Sequence, residues 1–260
     1  MYVAYLVRTL KIVSSTPLFL FDEHGCTLVD TAGCIEHCPH PDLHLYEGAF
    51  FFEAIAVKRV AREEYSLPEY LVWARCFQPQ ALRALGVLQQ RENFRFHPRT
   101  GEALDYHGHI ARPRGNVAGN VLEIFPRIDP AIICRLELMG EEKILVGLNA
   151  LRPHYYSLIA GYIEVGECAE DAVLREIREE TGRLACHPNY IMSQAWPFSG
   201  SLMLGFEAYT DDREPRWPSD GELLDIQWLS REDVRRQTVN LPAPGTVAWT
   251  MIEQWVNKYD

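Results

Sequence analysis

The chain has 260 residues, 47% of them hydrophobic and 23% charged, a balance that excludes disordered and fibrous classes and fits a folded globular protein. Acidic residues outnumber basic ones by 36 to 25, for a formal net charge of −11. No global field therefore draws nucleic acid or an anionic membrane, and an anionic substrate has to be met locally, by a metal cation or a small basic cluster.

The length allows one large domain or two modest ones. The seven cysteines are odd in number and scattered, with no C-x2-C pair, which suits a reducing compartment better than a disulfide framework. The opening "MYVAYLVRTLKIV" is apolar, but Arg8 and Lys11 interrupt it and no small-residue cleavage site follows. It reads as neither a signal peptide nor a membrane span, and a cytoplasmic protein is expected.

In chain order, "PLFLF", "DEHG" and "CTLVD" read as strand, turn and strand over 17–30, and "AFFFEAIAVKRV" (49–60) as a further strand. "PQALRALGVLQQREN" has helical periodicity, with Pro79 suited to a first turn. From Arg91 to Asn120 the texture turns to Gly, Pro, His and Arg with few aliphatics, which marks a boundary or a small module with little core of its own. "CIEHCPHPDLH" (34–44) has a C-x3-C spacing without a matching second pair and reads as a polar loop with reduced thiols. After Pro126, "AIICRLELM" and "KILVGLNAL" read as strands around "GEEK", and "SLMLGFEAYT" and "LLDIQWLS" as later strands. Ser230 and Asp233 fit the S-x-x-D start of a short helix. "TVAWTMIEQWVNKY" closes the chain as an amphipathic helix whose apolar face includes Val247, Met251, Ile252 and Trp255.

The chemistry concentrates in "GYIEVGECAEDAVLREIREETGR" (161–183). Val173 and Ile177 lie one turn apart on a buried side, and Gly182 is a natural stop. Asp171–Arg175 and Arg175–Glu179 are i,i+4 pairs of opposite charge, so an ion-paired solvated face accounts for part of the pattern. It does not account for Glu176 beside Glu180 at the edge of the apolar strip. Carboxylates at a core boundary are costly unless a cation neutralises them. Mg²⁺ or Mn²⁺ suits oxygen ligands and keeps waters that a phosphate can replace.

Gly161, Glu167, Arg175, Glu176, Ile177, Glu179, Glu180 and Gly182 together resemble the Nudix box, G-x5-E-x7-R-E-U-x-E-E-x-G. Arg183 departs from it, standing where the family usually has an aliphatic residue, with Leu184 next in line to supply the packing. "SQAWPFSGS" (193–201) resembles the SQPWPFPxS signature of NADH pyrophosphatases of the NudC type, with Ala195 and Ser199 in place of prolines. "FPRIDPAII" and "LPAPGTVA" extend the likeness over about 125–248, and it is weak before that.

The resemblance implies an α/β fold, a Nudix α/β/α sandwich over 126–260. It also implies a separate N-terminal α+β domain over 1–90 and a short degenerate zinc-ribbon-like insert over 91–125. It further implies hydrolysis of the pyrophosphate bond of NAD(H) to nicotinamide mononucleotide and AMP, with NAD-capped RNA the one nucleic-acid substrate it allows. Alternatives are another nucleoside diphosphate such as ADP-ribose, or a sensing module that binds a dinucleotide without cutting it. By the same resemblance the metal ligands are Glu176, Glu179, Glu180, Glu222 and the carbonyl of Ala160, and Arg175 orients the glutamates beside the catalytic Glu179 and Glu180. Substrate contacts fall to Phe125, Gln194, Ala195, Trp196, Pro197, Phe198, Ser199, Gly200, Ser201 and Ala248. A homodimer is expected on the same ground. The ribbon's four ligand positions hold His97, Thr100, Val117 and Asn120. That set offers one good zinc donor, and no structural zinc is expected.

Overall fold

A computed structural model describes residues 18–30, 49–52, 55–64, 71–107, 109–114 and 123–258. The chain divides into two compact units, Met1–Arg127 with Pro197–Gly200, and Ile128–Trp196 with Ser201–Asp260.

In the first unit, β1 (Leu18–Phe21), β2 (Thr27–Asp30), β3 (Phe50–Phe52), β4 (Ile55–Arg59) and β5 (Leu71–Ala74) form one sheet in the order β3-β4-β1-β2-β5. Every position of β1 is buried. Its alternate side chains go to opposite faces, as the period of a strand requires. Phe19 and Phe21 join Val29, Val57 and the Ala81, Ala84, Leu85 and Leu88 side of helix α1 (Pro79–Asn93), while Leu18 and Leu20 join Ala49, Ala56 and Val60. An unbroken apolar run is therefore a strand buried on both faces. "AFFFEAIAVKRV", expected as one strand, is an antiparallel pair, with Phe52 opposite Ile55.

The stretch after α1 contains a two-stranded antiparallel hairpin of β6 (Leu104–His107) and β7 (Ile110–Pro113). Ahead of it, the chain turns around a buried imidazole. His97 Nδ1 accepts the backbone N–H groups of Thr100 at 3.1 Å and Arg99 at 3.3 Å, and the His97 carbonyl accepts from Gly101 N–H at 2.9 Å. The Val117 and Asn120 positions of the ribbon lie outside the described residues, as does the Cys34–His44 stretch.

In the second unit, β8 (Asp129–Leu138), β9 (Lys143–Asn149), β10 (Ile159–Tyr162), β11 (Cys186–Trp196), β12 (Ser201–Thr210) and β13 (Leu223–Ser230) form a sheet in the order β11-β12-β8-β9-β13, with β10 paired to β8. β12 runs parallel to β8 from Ser201–Asp129 to Thr210–Leu138. Ile132, Cys134 and Leu136 of β8 pack under helix α2 (Ala169–Thr181), against Ala172, Val173 and Ile177. On the opposite face Ile133, Ile144 and Val146 pack under helices α3 (Arg231–Arg235) and α4 (Val247–Val256), against Val234, Val247, Met251, Ile252 and Trp255. The layers are α/β/α. Ser230 caps α3 through a reciprocal capping box with Asp233, as the S-x-x-D spacing anticipates. "SQAWPFSGS" spans the end of β11, which runs to Trp196, the turn at 197–200 and the first residue of β12, with which β11 pairs. Among the described residues Cys26, Cys76, Cys134, Cys168 and Cys186 are free thiols, and no helix is long and apolar enough to cross a membrane.

Candidate active site

Helix α2 presents its acids by burying its apolar strip. Val173 and Ile177 are fully buried, and this draws Glu176 and Glu180, the residues three positions further on, to the rim of the core, at 9% and 3% exposure. Glu179 stays on the exposed side. Of the two ion pairs expected along the helix, Arg175–Glu179 forms at 3.3 Å. Asp171 instead accepts from the Cys168 thiol at 3.1 Å. Arg175 has stronger partners elsewhere. Its Nε and Nη2 take both oxygens of Glu167 at 2.8 and 2.9 Å, its Nη1 reaches Glu176 Oε1 at 2.8 Å, and Nη2 also donates to the Tyr162 carbonyl at 2.8 Å. These bonds, that to Glu167 first, raise the guanidinium pKa and tie α2 to the end of β10.

The helix ends on Gly182, whose φ of 66° lies in the left-handed region that glycine adopts without strain. Its carbonyl accepts the N–H groups of Arg216 and Trp217, at 2.8 and 3.3 Å, so the segment between β12 and β13 folds back on the helix terminus. Four residues on, Asp220 N–H donates to the Glu179 carbonyl at 2.9 Å. The Asp220 carboxylate receives Glu222 N–H at 2.9 Å, and Asn149 Nδ2 holds Glu222 Oε1 at 2.9 Å. The exposed strand-start glutamate is thus brought to the α2 acids by main-chain bonds that no spacing in the sequence announces. Asp220 and Asn149 went unnoticed in the sequence for that reason.

Glu180 carries the electrostatic load. Burial, then the charges of Glu222, Glu176 and Asp220, push its carboxyl up to about 9, with Arg152 acting the other way. Among the described residues no hydrogen-bond donor reaches its carboxylate. Glu176 is raised as well, by burial first, against the pull of Arg175.

The expected substrate residues are distributed between the units. Phe125, 63% exposed, and Pro197, Phe198, Ser199 and Gly200 belong to the first, where Phe198 packs edge-on against Phe77 with the Arg75 guanidinium 4.7 Å from its ring centroid. Gln194, Ala195, Trp196, Ser201 and Ala248 belong to the second. Gln194 brackets the start of α4, donating to the Gly245 carbonyl and accepting from Val247 N–H, both at 2.7 Å, next to the buried Ala248. Ser201 Oγ lies 3.3 Å from the Tyr162 hydroxyl, on the strand that carries Ala160.

A family model described as the NUDIX domain matches residues 129–250, the whole span from β8 into α4. Those residues form a NUDIX domain. Its sequence is NudC-like: the NAD-capped RNA hydrolase NudC of Mycobacterium tuberculosis (strain ATCC 25618 / H37Rv) is 39% identical over 145 residues, covering 51% of this chain and 46% of the relative. The protein of the same name from Pseudomonas aeruginosa (strain LESB58) is 38% identical over 135 residues, covering 52% and 46%. The chain spans about half the length of the curated relatives it matches. Among solved structures, a NUDIX hydrolase from Nitrosomonas europaea aligns with a TM-score of 0.46 at 16% identity, covering 64% of this chain and 92% of that one.

Nudix hydrolases generally use divalent metal ions, and the carboxylates of this Nudix domain fit one. The donors are hard oxygens, and the buried Glu180 has company that is mostly acidic. As the side chains stand, no three His, Cys, Asp or Glu among the described residues are arranged as a ready metal-holding group. Glu176 gives one oxygen to Arg175.

The packing around Arg183 corrects one expectation. Leu184 does not fill the aliphatic position of the box: it is 42% exposed, whereas Arg183 itself is 5% exposed.

Proposed function

We propose that the protein is a Mg²⁺- or Mn²⁺-dependent pyrophosphohydrolase acting on the diphosphate of NAD(H), free or as the 5′ cap of an RNA. The observation that carries this reading is the buried Glu180, surrounded by the charges of Glu222, Glu176 and Asp220, within a domain whose relatives are named NAD-capped RNA hydrolases. Glu176, Glu180 and Glu222, with Glu179 and the Ala160 carbonyl, hold the metal. When bound, the metal neutralises the diphosphate oxygens and acidifies the attacking water. Arg175 keeps Glu176 and Glu167 in place and leaves the phosphates to the metal site. Glu179, exposed on the same helix, takes the proton from the water as the water oxygen bonds to one phosphorus and the bridging P–O bond breaks. The products are nicotinamide mononucleotide and AMP from NAD(H), or nicotinamide mononucleotide and a 5′-monophosphate RNA from the capped substrate. Gln194, Ala195, Trp196, Pro197, Phe198, Ser199, Gly200, Ser201, Phe125 and Ala248 are assigned to the dinucleotide, its flat rings suiting the aromatic side chains. The same reading takes the protein as a cytoplasmic homodimer.

A hydrolysis panel tests this. NADH, NAD⁺, ADP-ribose and a short NAD-capped RNA are incubated with Mg²⁺ or Mn²⁺, beside Glu180→Gln. AMP from NADH in the wild type alone is the expected result. Equal binding of NADH by both proteins with no AMP from either refutes the enzyme reading. AMP mainly from ADP-ribose would keep the hydrolase and discard the substrate.

A further inference from the structure

We propose that Arg183 is a positioning residue for the carboxylate cluster: its buried guanidinium fastens the segment that carries Asp220 and Glu222 to the C-terminal end of α2. This rests on the metal-dependent reading above. Arg183 Nη1 donates to the Thr181 carbonyl at 2.9 Å, Nε to the Asp212 carbonyl at 3.1 Å and Nη2 to the Arg213 carbonyl at 2.9 Å. Its guanidinium also lies 5.6 Å from the ring centroid of Trp228 on β13, and Trp228 Nε1 donates to the same Arg213 carbonyl at 2.9 Å. All three acceptors are neutral carbonyls, because the Asp212 carboxylate is engaged by Arg216 and by Leu184 N–H.

A buried guanidinium is costly unless its donors are used. Here they are used on both sides of one junction, the helix end and the returning segment. An aliphatic side chain at this place could pack on Trp228 but could not bond the segment. From Arg213 the path continues through Arg216 and Trp217 to the Gly182 carbonyl, through Asp220 to the Glu179 carbonyl, and from Asp220 to Glu222. Arg183 is the side-chain fastening at the start of a run of main-chain bonds that ends on a proposed metal ligand. Substitution should therefore loosen the ligand set without touching any ligand.

The test uses the full chain, with Arg183→Met to keep volume while removing the donors and Arg183→Lys to keep charge with a single donor head. Mn²⁺ binding is followed by the electron paramagnetic resonance of free Mn²⁺, and local order by amide hydrogen exchange across 212–222. Arg183→Met is expected to weaken Mn²⁺ binding by ~tenfold or more, in the range of lost outer-shell contacts. Exchange should quicken at 212–222 ahead of the sheet, and activity should fall more at low than at saturating Mn²⁺. Arg183→Lys should lie between. Wild-type affinity in Arg183→Met, or exchange that rises uniformly over the domain, overturns the proposal. If Arg183→Met does not fold, Arg183→Lys decides alike, since unchanged affinity and exchange in it would also overturn the proposal. A wild type that binds no Mn²⁺ overturns the hydrolase reading too, whereas a wild type that binds Mn²⁺ and cleaves NADH, matched by its Arg183 variants, overturns this inference alone.

Discussion

Gly161 and Glu176 occupy touching volumes: a Cβ built on Gly161 would lie 2.0 Å from both Cδ and Oε1 of Glu176. The first glycine of the box is thus required by the glutamate fifteen residues later, which needs the room to lie against β10. Gly161→Ala must displace Glu176 or bend β10. Overpacking of this kind costs about 1–3 kcal/mol, and a misplacement of an ångström costs roughly a hundredfold in rate. NADH hydrolysis should fall by that order while urea unfolding shifts modestly. Near wild-type turnover in Gly161→Ala would show that Glu176 has slack.

Glu180 makes the metal-free protein sensitive to alkali. Its carboxyl is raised from 4.5 to about 9 in the folded chain, by burial first and by Glu222 next. Between those values the folded state holds the proton and the unfolded state has released it. The contribution to stability is therefore full below 4.5 and is lost as pH rises through about 9. Urea midpoints without metal should decline over this window for the wild type and less so for Glu180→Gln, which should be the more stable protein at pH 8. Added Mn²⁺ should stabilise the wild type at pH 8 and the variant little. Parallel pH curves for the two proteins would exclude Glu180 as the cause.

Arg175 is not replaceable by another cation. Its fork binds Glu167 at two oxygens while reaching Glu176 and the Tyr162 carbonyl, and one ammonium cannot cover that geometry. Arg175→Lys should weaken metal binding by about 10–100-fold, as loss of an orienting partner does elsewhere. Mn²⁺ titration of activity measures this directly.

The turn at His97 is held by its ring, whose Nδ1 accepts the Arg99 and Thr100 amides. Losing the acceptor of the Arg99 and Thr100 amides in His97→Ala should cost about 0.5–1.5 kcal/mol per hydrogen bond, since both residues are exposed and water can replace the ring. A zinc chelator should leave the wild-type unfolding midpoint where it is. A drop on chelation would assign the turn a metal after all.

The sequence was most informative where chemistry and local period coincide. Within six residues Arg175, Glu176, Glu179 and Glu180 combine a helical face with a charge pattern that ion pairing explains only in part, and the helix forms with Val173 and Ile177 buried as read. β1, α1, β8, β9, β12, β13 and α4 were also legible, because each has a full period of apolar residues. β11 was not: its burial alternates only in part, with Asn189 and Tyr190 both exposed and its register to β12 irregular, so no clean period of two marks it. The break of "AFFFEAIAVKRV" into β3 and β4 was hidden for another reason: no Gly, Pro, Asn or Asp punctuates the run, and Glu53 is its only sign of a break before Lys58.

Sequence by itself determined the box and the charge to be neutralised, because these depend on residue type and spacing along one helix, and through the resemblance of the box the α/β class expected over 126–260. Only tertiary structure decided how Glu222 is tied to the α2 acids, why Gly161 must be glycine, and what a buried Arg183 does at the aliphatic position. Those depend on backbone carbonyls and N–H groups meeting across segments far apart in the chain. Main-chain groups are the same in every residue, so their pairing leaves no letter in the sequence to read.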